Sequence, residues 1–184
     1  MSTSLGFVIR DGLDKDIGAC LGLDHHYETD FVWQMNMDER GGQWSISFNK
    51  QRLPRTLETE YGADERRLRL ATPPEHCFLV AVAKDSSDIL GYMTMRHDPV
   101  YRAAWLQDVV VSAPYRRHRI GTRMMNIARQ WALEHGLDQI TVENHTENYP
   151  GIAFCQQLGF KFCGFNDHYF PNQDIAVFFS QSLR

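Results

Sequence analysis

The longest regular pattern in the chain is an apolar stripe at Ile120, Met124, Ile127, Ala128 and Trp131. Its spacing is that of one helix face, and it runs out near Gly136, a residue suited to ending a helix. The segments before it change period. Residues 77–83 (CFLVAVA), 89–96 (ILGYMTMR) and 104–111 (AWLQDVVV) read as strands, the first two separated by the turn-like KDSSD. Residues 6–10 (GFVIR) predict a first strand. Residues 13–23 predict a helix with Leu13, Ile17, Cys20 and Leu21 on one face and Asp11 as its N-cap. After Gly41-Gly42, Trp44, Ile46 and Phe48 alternate with polar residues and predict a strand over 43–50. Trp44, Phe48 and Trp131 are expected in the core. Residues 25–36 (HHYETDFVWQMN) show no clean period. Residues 53–75, bracketed by Pro54, Pro73 and Pro74, read as a charged surface loop with one helical turn.

Beyond the long helix, the pattern predicts a strand at 139–144, a short helix at 151–158 and a pair of strands from 161 onward around Pro171. The order β-α-β-β-β-β-α-β-α-β-β is that of an α/β domain with a mixed sheet. No repeat, low-complexity segment or linker interrupts it, so residues 1–184 are expected to form one domain.

Composition narrows the function classes. Hydrophobic residues are 43% and charged residues 23%, a globular balance, and the formal net charge of -4 gives no reason to expect nucleic-acid or membrane-surface binding. No apolar run is long enough to span a bilayer, and the N-terminus lacks a basic stretch followed by an apolar one. Cys20, Cys77, Cys155 and Cys163 have neither zinc-site spacing nor the density of a disulfide scaffold. The His25-His26 pair has no third ligand at a sensible spacing, so it reads as surface and no metal is expected. A soluble, reduced, cytoplasmic chain is the resulting expectation.

Chemistry concentrates in DVVVSAPYRRHRIGTRMM, residues 108–125. A strand ends, a short turn containing Pro114 follows, and a helix opens around residues 119–121. Arg116, Arg117, Arg119 and Arg123 therefore gather at the positive end of a helix dipole, where cations are disfavoured by up to about 1 kcal/mol each. A bound polyanion reverses that penalty. The first-turn N–H groups of Ile120, Gly121 and Thr122 can hold a phosphate while the arginines reach around it, and Gly121 permits close approach. A plain solvated helix start has the same composition.

The string YRRHRIG (residues 115–121) resembles the acyl-CoA pyrophosphate loop of the GNAT acetyltransferases, Arg/Gln-x-x-Gly-x-Gly/Ala. Arg116 matches the first position and Gly121 the last. Arg119 replaces the middle glycine and still offers its N–H if its backbone is helical. In the same order, Val109, Val110 and Val111 match the splayed strand whose backbone pairs with the pantetheine arm. Asn148 matches the asparagine that contacts the coenzyme, and Leu158-Gly159-Phe160 the Gly-Phe that ends the following helix. Residues 21–35 (LGLDHHYETDFVWQM), with LQDVVV, ITVENHTEN and GFKFCGF, are similar to the streptothricin (nourseothricin) acetyltransferases. Asp24, Thr29, Asp30 and Asp108 keep that subfamily's polar positions. The resemblance implies a mostly antiparallel mixed sheet flanked by helices, with splayed central parallel strands. It also implies acetyl-CoA as acyl donor and a cationic amine as acceptor, and it leaves room for a homodimer.

Acetyl transfer to an amine needs a proton acceptor, since an unperturbed ammonium of pKa about 10.4 is charged at neutral pH. Asp108 and Glu143, on the two strands the family splays apart, are the candidates for base or amine-orienting carboxylate. Either could instead be a strand-end carboxylate satisfied by its neighbours. A backbone N–H near residues 109–111 is expected to hold the thioester oxygen. The family's tyrosine acid is Cys155 here, so the proton for the departing thiolate comes from Cys155, from Tyr149 or from water. Asp24, Tyr27, Glu28, Asp30 and Trp33 form an acidic-aromatic segment suited to a polycation, with Asp24, Tyr27, Asp30 and Trp33 as acceptor candidates. Two alternatives stay open: a protein N-terminus or lysine as acceptor, or an acyl-CoA-binding module without activity.

Overall fold

The computed structural model describes residues 5–184; Met1–Ser4, the start of the stretch read as lacking a leader, lie outside the described residues. Strand β1 (Phe7–Asp11) leads through a 3-10 turn (Asp14–Asp16) into α1 (Ile17–Leu21). Then come β2 (His26–Arg40), β3 (Gln43–Glu60), α2 (Glu65–Leu70), β4 (Cys77–Ala83), β5 (Ile89–Asp98) and β6 (Ala103–Val111). The long helix α3 (Ile120–Glu134) precedes β7 (Gln139–His145), α4 (Tyr149–Gln157), β8 (Lys161–Asn166) and β9 (Ala176–Ser182). Seven strands form one sheet in the order β1-β4-β5-β6-β7-β9-β8, and β2 and β3 form a separate two-stranded ribbon. The expected mixed α/β sheet is observed. The β1-β4, β4-β5 and β5-β6 pairs are antiparallel and β6-β7 is parallel.

The chain divides into two compact units, Met1–His26, Glu60–Val142 and Ser180–Arg184 in one, Tyr27–Thr59 and Glu143–Phe179 in the other. The first is built on β4, whose residues are all buried, and on β5. Ile17, Cys20, Leu68, Phe78, Val80, Tyr92 and Val110 pack into one cluster there. Helix α3 buries Ile120, Met124, Met125, Ala128 and Ala132, a face turned slightly from the predicted stripe, and Ile127 is exposed. Gly136 follows the helix with φ +69, the left-handed stop its position predicts. In the second unit, Phe48 packs against Phe162 and Phe165, and the Asn148 side chain caps α4 by accepting the Gly151 N–H at 3.0 Å.

The structure corrects the pattern where tertiary context overrides it. Residues 25–36 are largely strand β2, and β3 continues to Glu60 through the segment read as a loop. The ribbon is mostly solvent-exposed on both faces, so beyond the alternation at Trp44, Ile46 and Phe48 no hydrophobic pattern betrays it. Pro54 fits inside β3 because a strand of a two-stranded sheet has an unpaired edge, where a missing N–H costs nothing. Trp44 is accordingly exposed, while Phe48 and Trp131 are half-buried. The early helix is only one turn of 3-10 and one of α. Asp16 rather than Asp11 stabilises its start, accepting the Leu13 N–H at 2.9 Å and Arg10 at 2.6 Å. His25 is buried, its Nδ1 at 2.7 Å from the Leu23 carbonyl and its Nε2 at 3.2 Å from Tyr92 Oη.

Gly91 on β5 faces Val111 of β6, and a Cβ there would lie 2.5 Å from the Val110 carbonyl oxygen. Backbone cannot yield as a side-chain tip does. Gly91→Ala is therefore expected to destabilise the protein by roughly 1–3 kcal/mol, read by urea unfolding; unchanged stability would contradict the close approach.

Candidate active site

Between β5 and β6 the register shifts. Asp108 pairs with Thr94 but Leu106 with Met95, which leaves Gln107 as an extra residue, a β-bulge. The parallel ladder to β7 includes the pairs from Ala103↔Gln139 to Leu106↔Val142. Beyond the bulge, Asp108 to Val111 pair with β5. Val109, Val110 and Val111 thus form the last part of β6, leading into the loop that follows. Val110 is buried in the core, and Val109 and Val111 are half-buried.

The bulge is tied down by Asp108, which is only 2% exposed. Its carboxylate accepts Arg67 Nη2 at 2.7 Å, Tyr61 Oη at 2.7 Å and the buried Thr94 hydroxyl. The Tyr61 hydroxyl also lies 3.1 Å from the Gln107 carbonyl, the bulged residue itself. Burial, and then the adjacent carboxylate, push the Tyr61 phenol well above its ordinary value, so it stays a donor. Burial works against the Arg67 charge, yet Tyr61 and Asp108 hold its pKa above the ordinary value. Tyr61, Arg67 and Thr94 carry no motif, and Tyr61 and Arg67 come from the stretch read as a loop.

Past β6, a 3-10 turn (Ala113–Tyr115) leads to the arginine-rich loop. Arg116 Nε donates to the Val111 carbonyl at 2.8 Å and its Nη2 to the Asp24 carbonyl at 3.4 Å, so this side chain fastens the loop to the end of β6. Arg117 and Arg119 are exposed and both adopt left-handed backbone, φ 66 and 63. Arg119 is thus not helical as its sequence position suggests: it keeps the conformation that the usual glycine would adopt freely. As N-cap of α3 it supplies no side-chain hydrogen bond, which leaves the first-turn N–H groups of Ile120, Gly121 and Thr122 without a side-chain cap. Ile120 is buried; Gly121 and Thr122 are half-buried. Beside this turn a recess of about 280 Å³ is lined by Leu5, Phe7, His118, Arg119 and Arg123. An uncapped fifteen-residue helix, two strained arginines and a cationic recess make an anion cradle.

The second unit holds the remaining candidates. Glu143 is half-buried, and Tyr169 Oη donates to its Oε2 at 2.6 Å. Two residues on, His145 lies flat on Phe170 with centroids 3.4 Å apart, its Nδ1 3.4 Å from Asp174 Oδ2. Neither Tyr169 nor His145 was singled out by the sequence. Cys155 is buried with Asn144 Nδ2 at 3.9 Å from its sulfur, and burial pushes its thiol up to about 11. On β2, Tyr27 is half-buried with its phenol pushed up to about 12 by burial, exposed Asp30 accepts the Thr56 hydroxyl at 2.7 Å, and half-buried Trp33 has its Nε1 buried without a hydrogen-bond partner. Asp24 stands apart from these, in the first unit, its carboxylate accepting the His26 N–H at 3.0 Å.

A model of the acetyltransferase (GNAT) family matches residues 30–160. The chain belongs to the GNAT acetyltransferase family. A streptothricin acetyltransferase of Streptomyces lavendulae is 24% identical over 166 residues, covering 89% of this chain and 87% of that protein. Among solved structures, a nourseothricin acetyltransferase superposes with TM-score 0.83 at 21% identity, covering 97% of this chain and 99% of that one. A Bacillus anthracis protein described as a streptothricin acetyltransferase, solved with acetyl coenzyme A, gives 0.79 at 19% identity, covering 97% and 99%. The ribosomal-protein-S18-alanine N-acetyltransferase of Escherichia coli gives 0.68 at 12%, covering 97% and 94%. The fold is therefore common to GNAT enzymes with different acceptors. As a GNAT member the chain is an N-acetyltransferase. Among the described residues no helix is long and apolar enough to cross a membrane, and no group of three or more His, Cys, Asp and Glu is placed to hold a metal.

The strain at Arg119 gives a direct check. Arg119→Gly removes a Cβ from a left-handed position and is expected to raise stability by about 1 kcal/mol, seen as a higher Tm; a lower Tm would contradict the backbone account.

Proposed function

We propose that this protein moves an acetyl group from acetyl-CoA to a primary amine of a small cationic molecule of the streptothricin type, within a single catalytic domain. The observation that carries the coenzyme part is the anion cradle: α3 begins without a side-chain cap, behind a loop whose left-handed residues include Arg119 at the family's glycine position. Acceptor type is supported by similarity along nearly the whole chain to a streptothricin acetyltransferase and by the acidic-aromatic strand β2.

Acetyl-CoA supplies an activated thioester. The N–H groups of Ile120, Gly121 and Thr122 with Arg117 and Arg119 hold its phosphates, and Arg116 keeps the loop on β6. The backbone of Val109 to Val111 pairs with its extended arm and presents an N–H to the thioester oxygen, and Asn148 at the cap of α4 contacts the coenzyme. Glu143, steadied by Tyr169, receives the proton that the acceptor ammonium must lose. Asp108 is assigned to positioning rather than to proton transfer, because Arg67, Tyr61 and Thr94 occupy its oxygens. Cys155 stays protonated at neutral pH, and a thiol held at about 11 is a weaker donor than an ordinary one of about 8.5. We therefore assign Cys155 to packing and let the departing thiolate take its proton from water. Tyr27, Asp30 and Trp33 contact the acceptor, and Asp24 steadies the loop through its carbonyl.

Mass spectrometry of streptothricin incubated with enzyme and acetyl-CoA should show one added acetyl group. Glu143→Gln should lower kcat by about 100-fold or more, while Cys155→Ala should change it by only a few-fold. Acetyl-CoA binding without acetylation of streptothricin would discard this acceptor, and a fully active Glu143→Gln variant would discard the base.

A further inference from the structure

Lys50 projects from the exposed ribbon strand β3, yet its ammonium is not left to solvent. Nζ sits 4.4 Å from the centre of the Phe31 ring and 5.2 Å from that of Tyr149, and donates to Tyr149 Oη at 3.3 Å. The two rings stand 5.3 Å apart at 46°, an open wedge with the cation against both walls. Phe31 comes from β2, and Tyr149 is the first residue of α4, directly after Asn148; both are half-buried. Among the described residues, Lys50 makes no ion pair with a carboxylate. The hold on this lysine is therefore two aromatic faces and one phenol oxygen.

Such a hold is weak. A cation over an aromatic face at an exposed site gains little, and ordering a long lysine side chain costs conformational entropy. Two π faces and a hydroxyl acceptor are nonetheless a complementary surface for an aliphatic ammonium: the rings cover the carbon next to nitrogen, and the phenol accepts one of its three protons. Among the described residues, the ammonium seated in this wedge is that of Lys50.

We infer that Phe31 and Tyr149 form a subsite for a primary aliphatic ammonium group, and that Lys50 is its built-in occupant, displaced when a cationic acceptor binds. The inference rests on the amine-acceptor reading above and deepens it. Recognition of one ammonium group is assigned to aromatic faces and a phenol oxygen, in place of a carboxylate. Lys50 is tethered and always available, so it acts as an internal competitor that raises the acceptor's KM. An acceptor with several ammonium groups outcompetes it through contacts elsewhere, whereas a simple monoamine gains too little. Lys50 thereby selects for polycationic acceptors.

Two measurements test this. In steady-state kinetics with a cationic amine acceptor, Lys50→Met should lower the acceptor's KM by about two- to five-fold, the range set by the strength of an exposed cation–π contact, and leave the KM of acetyl-CoA in place. Lys50→Arg, which keeps a cation in the wedge, should stay near wild type. Adding Phe31→Leu to Lys50→Met should reverse the gain. In the second, independent of turnover, n-butylammonium is titrated while the ring resonances of Phe31 and Tyr149 are followed by NMR. Both rings should shift saturably, with a lower midpoint in Lys50→Met than in wild type. Equal midpoints, or unshifted rings, would overturn the inference, as would an acceptor KM indifferent to both Lys50→Met and Phe31→Leu. Shifted rings in a protein that acetylates no amine would uphold the subsite and reject the acetyl-transfer reading.

Discussion

A buried carboxylate has to be satisfied from every side, and in this protein that requirement shapes the strand on which the chemistry is proposed to rest. Asp108 lies where β6 carries its bulge, and its oxygens take donors from three other elements of the fold: Arg67 on α2, Thr94 on β5 and Tyr61 just past β3. The same Tyr61 hydroxyl reaches the bulged carbonyl of Gln107. Tyr61 thus fastens both the Asp108 carboxylate and the bulged carbonyl beside it.

The loop after β6 follows the same logic of tying backbone down with charge. Arg116 returns to the Val111 carbonyl, and Arg117 and Arg119 take left-handed conformations that non-glycine residues adopt only when the surroundings insist. The family position usually occupied by glycine keeps glycine's geometry while bearing an arginine. That substitution costs some stability, and it sets an additional cation at the start of α3, where no side chain caps the helix.

Much of this was legible in the residue pattern. The apolar stripe of α3, the all-apolar β4 and the Gly136 stop were readable because each faces a core on a regular period. The place of the arginine loop between β6 and α3 was readable because the strand pattern ends at Val111 and the helical stripe begins at Ile120. The start of β3, residues 43–50, was readable too, but β2 and the rest of β3 were not, because strands exposed on both faces need no alternation, and Pro54 signals a break that an unpaired edge does not enforce. The partners of Asp108 were hidden for a related reason. Tyr61 and Arg67 are distant in sequence from it, and only the folded chain brings them to a carboxylate whose sequence left open both a role as base and satisfaction by its neighbours. Tyr169 and His145 escaped notice likewise, since a loop tyrosine and a strand histidine acquire meaning only from Glu143, Phe170 and Asp174 around them.

Asp108 and Arg67 act as one unit that holds the bulge. A double-mutant cycle with Arg67→Met and Asp108→Asn, followed by urea unfolding and by acetyl-CoA calorimetry, addresses this most directly. Arg67→Met leaves a buried carboxylate without its cation and should cost roughly 2–4 kcal/mol of stability, whereas Asp108→Asn leaves the half-buried Arg67 without its carboxylate and should cost about 1–3 kcal/mol. The pair should cost less than their sum by about 1–3 kcal/mol, and acetyl-CoA affinity should fall with either single change. Strictly additive losses, or undiminished acetyl-CoA binding in the Asp108→Asn protein, would contradict the account.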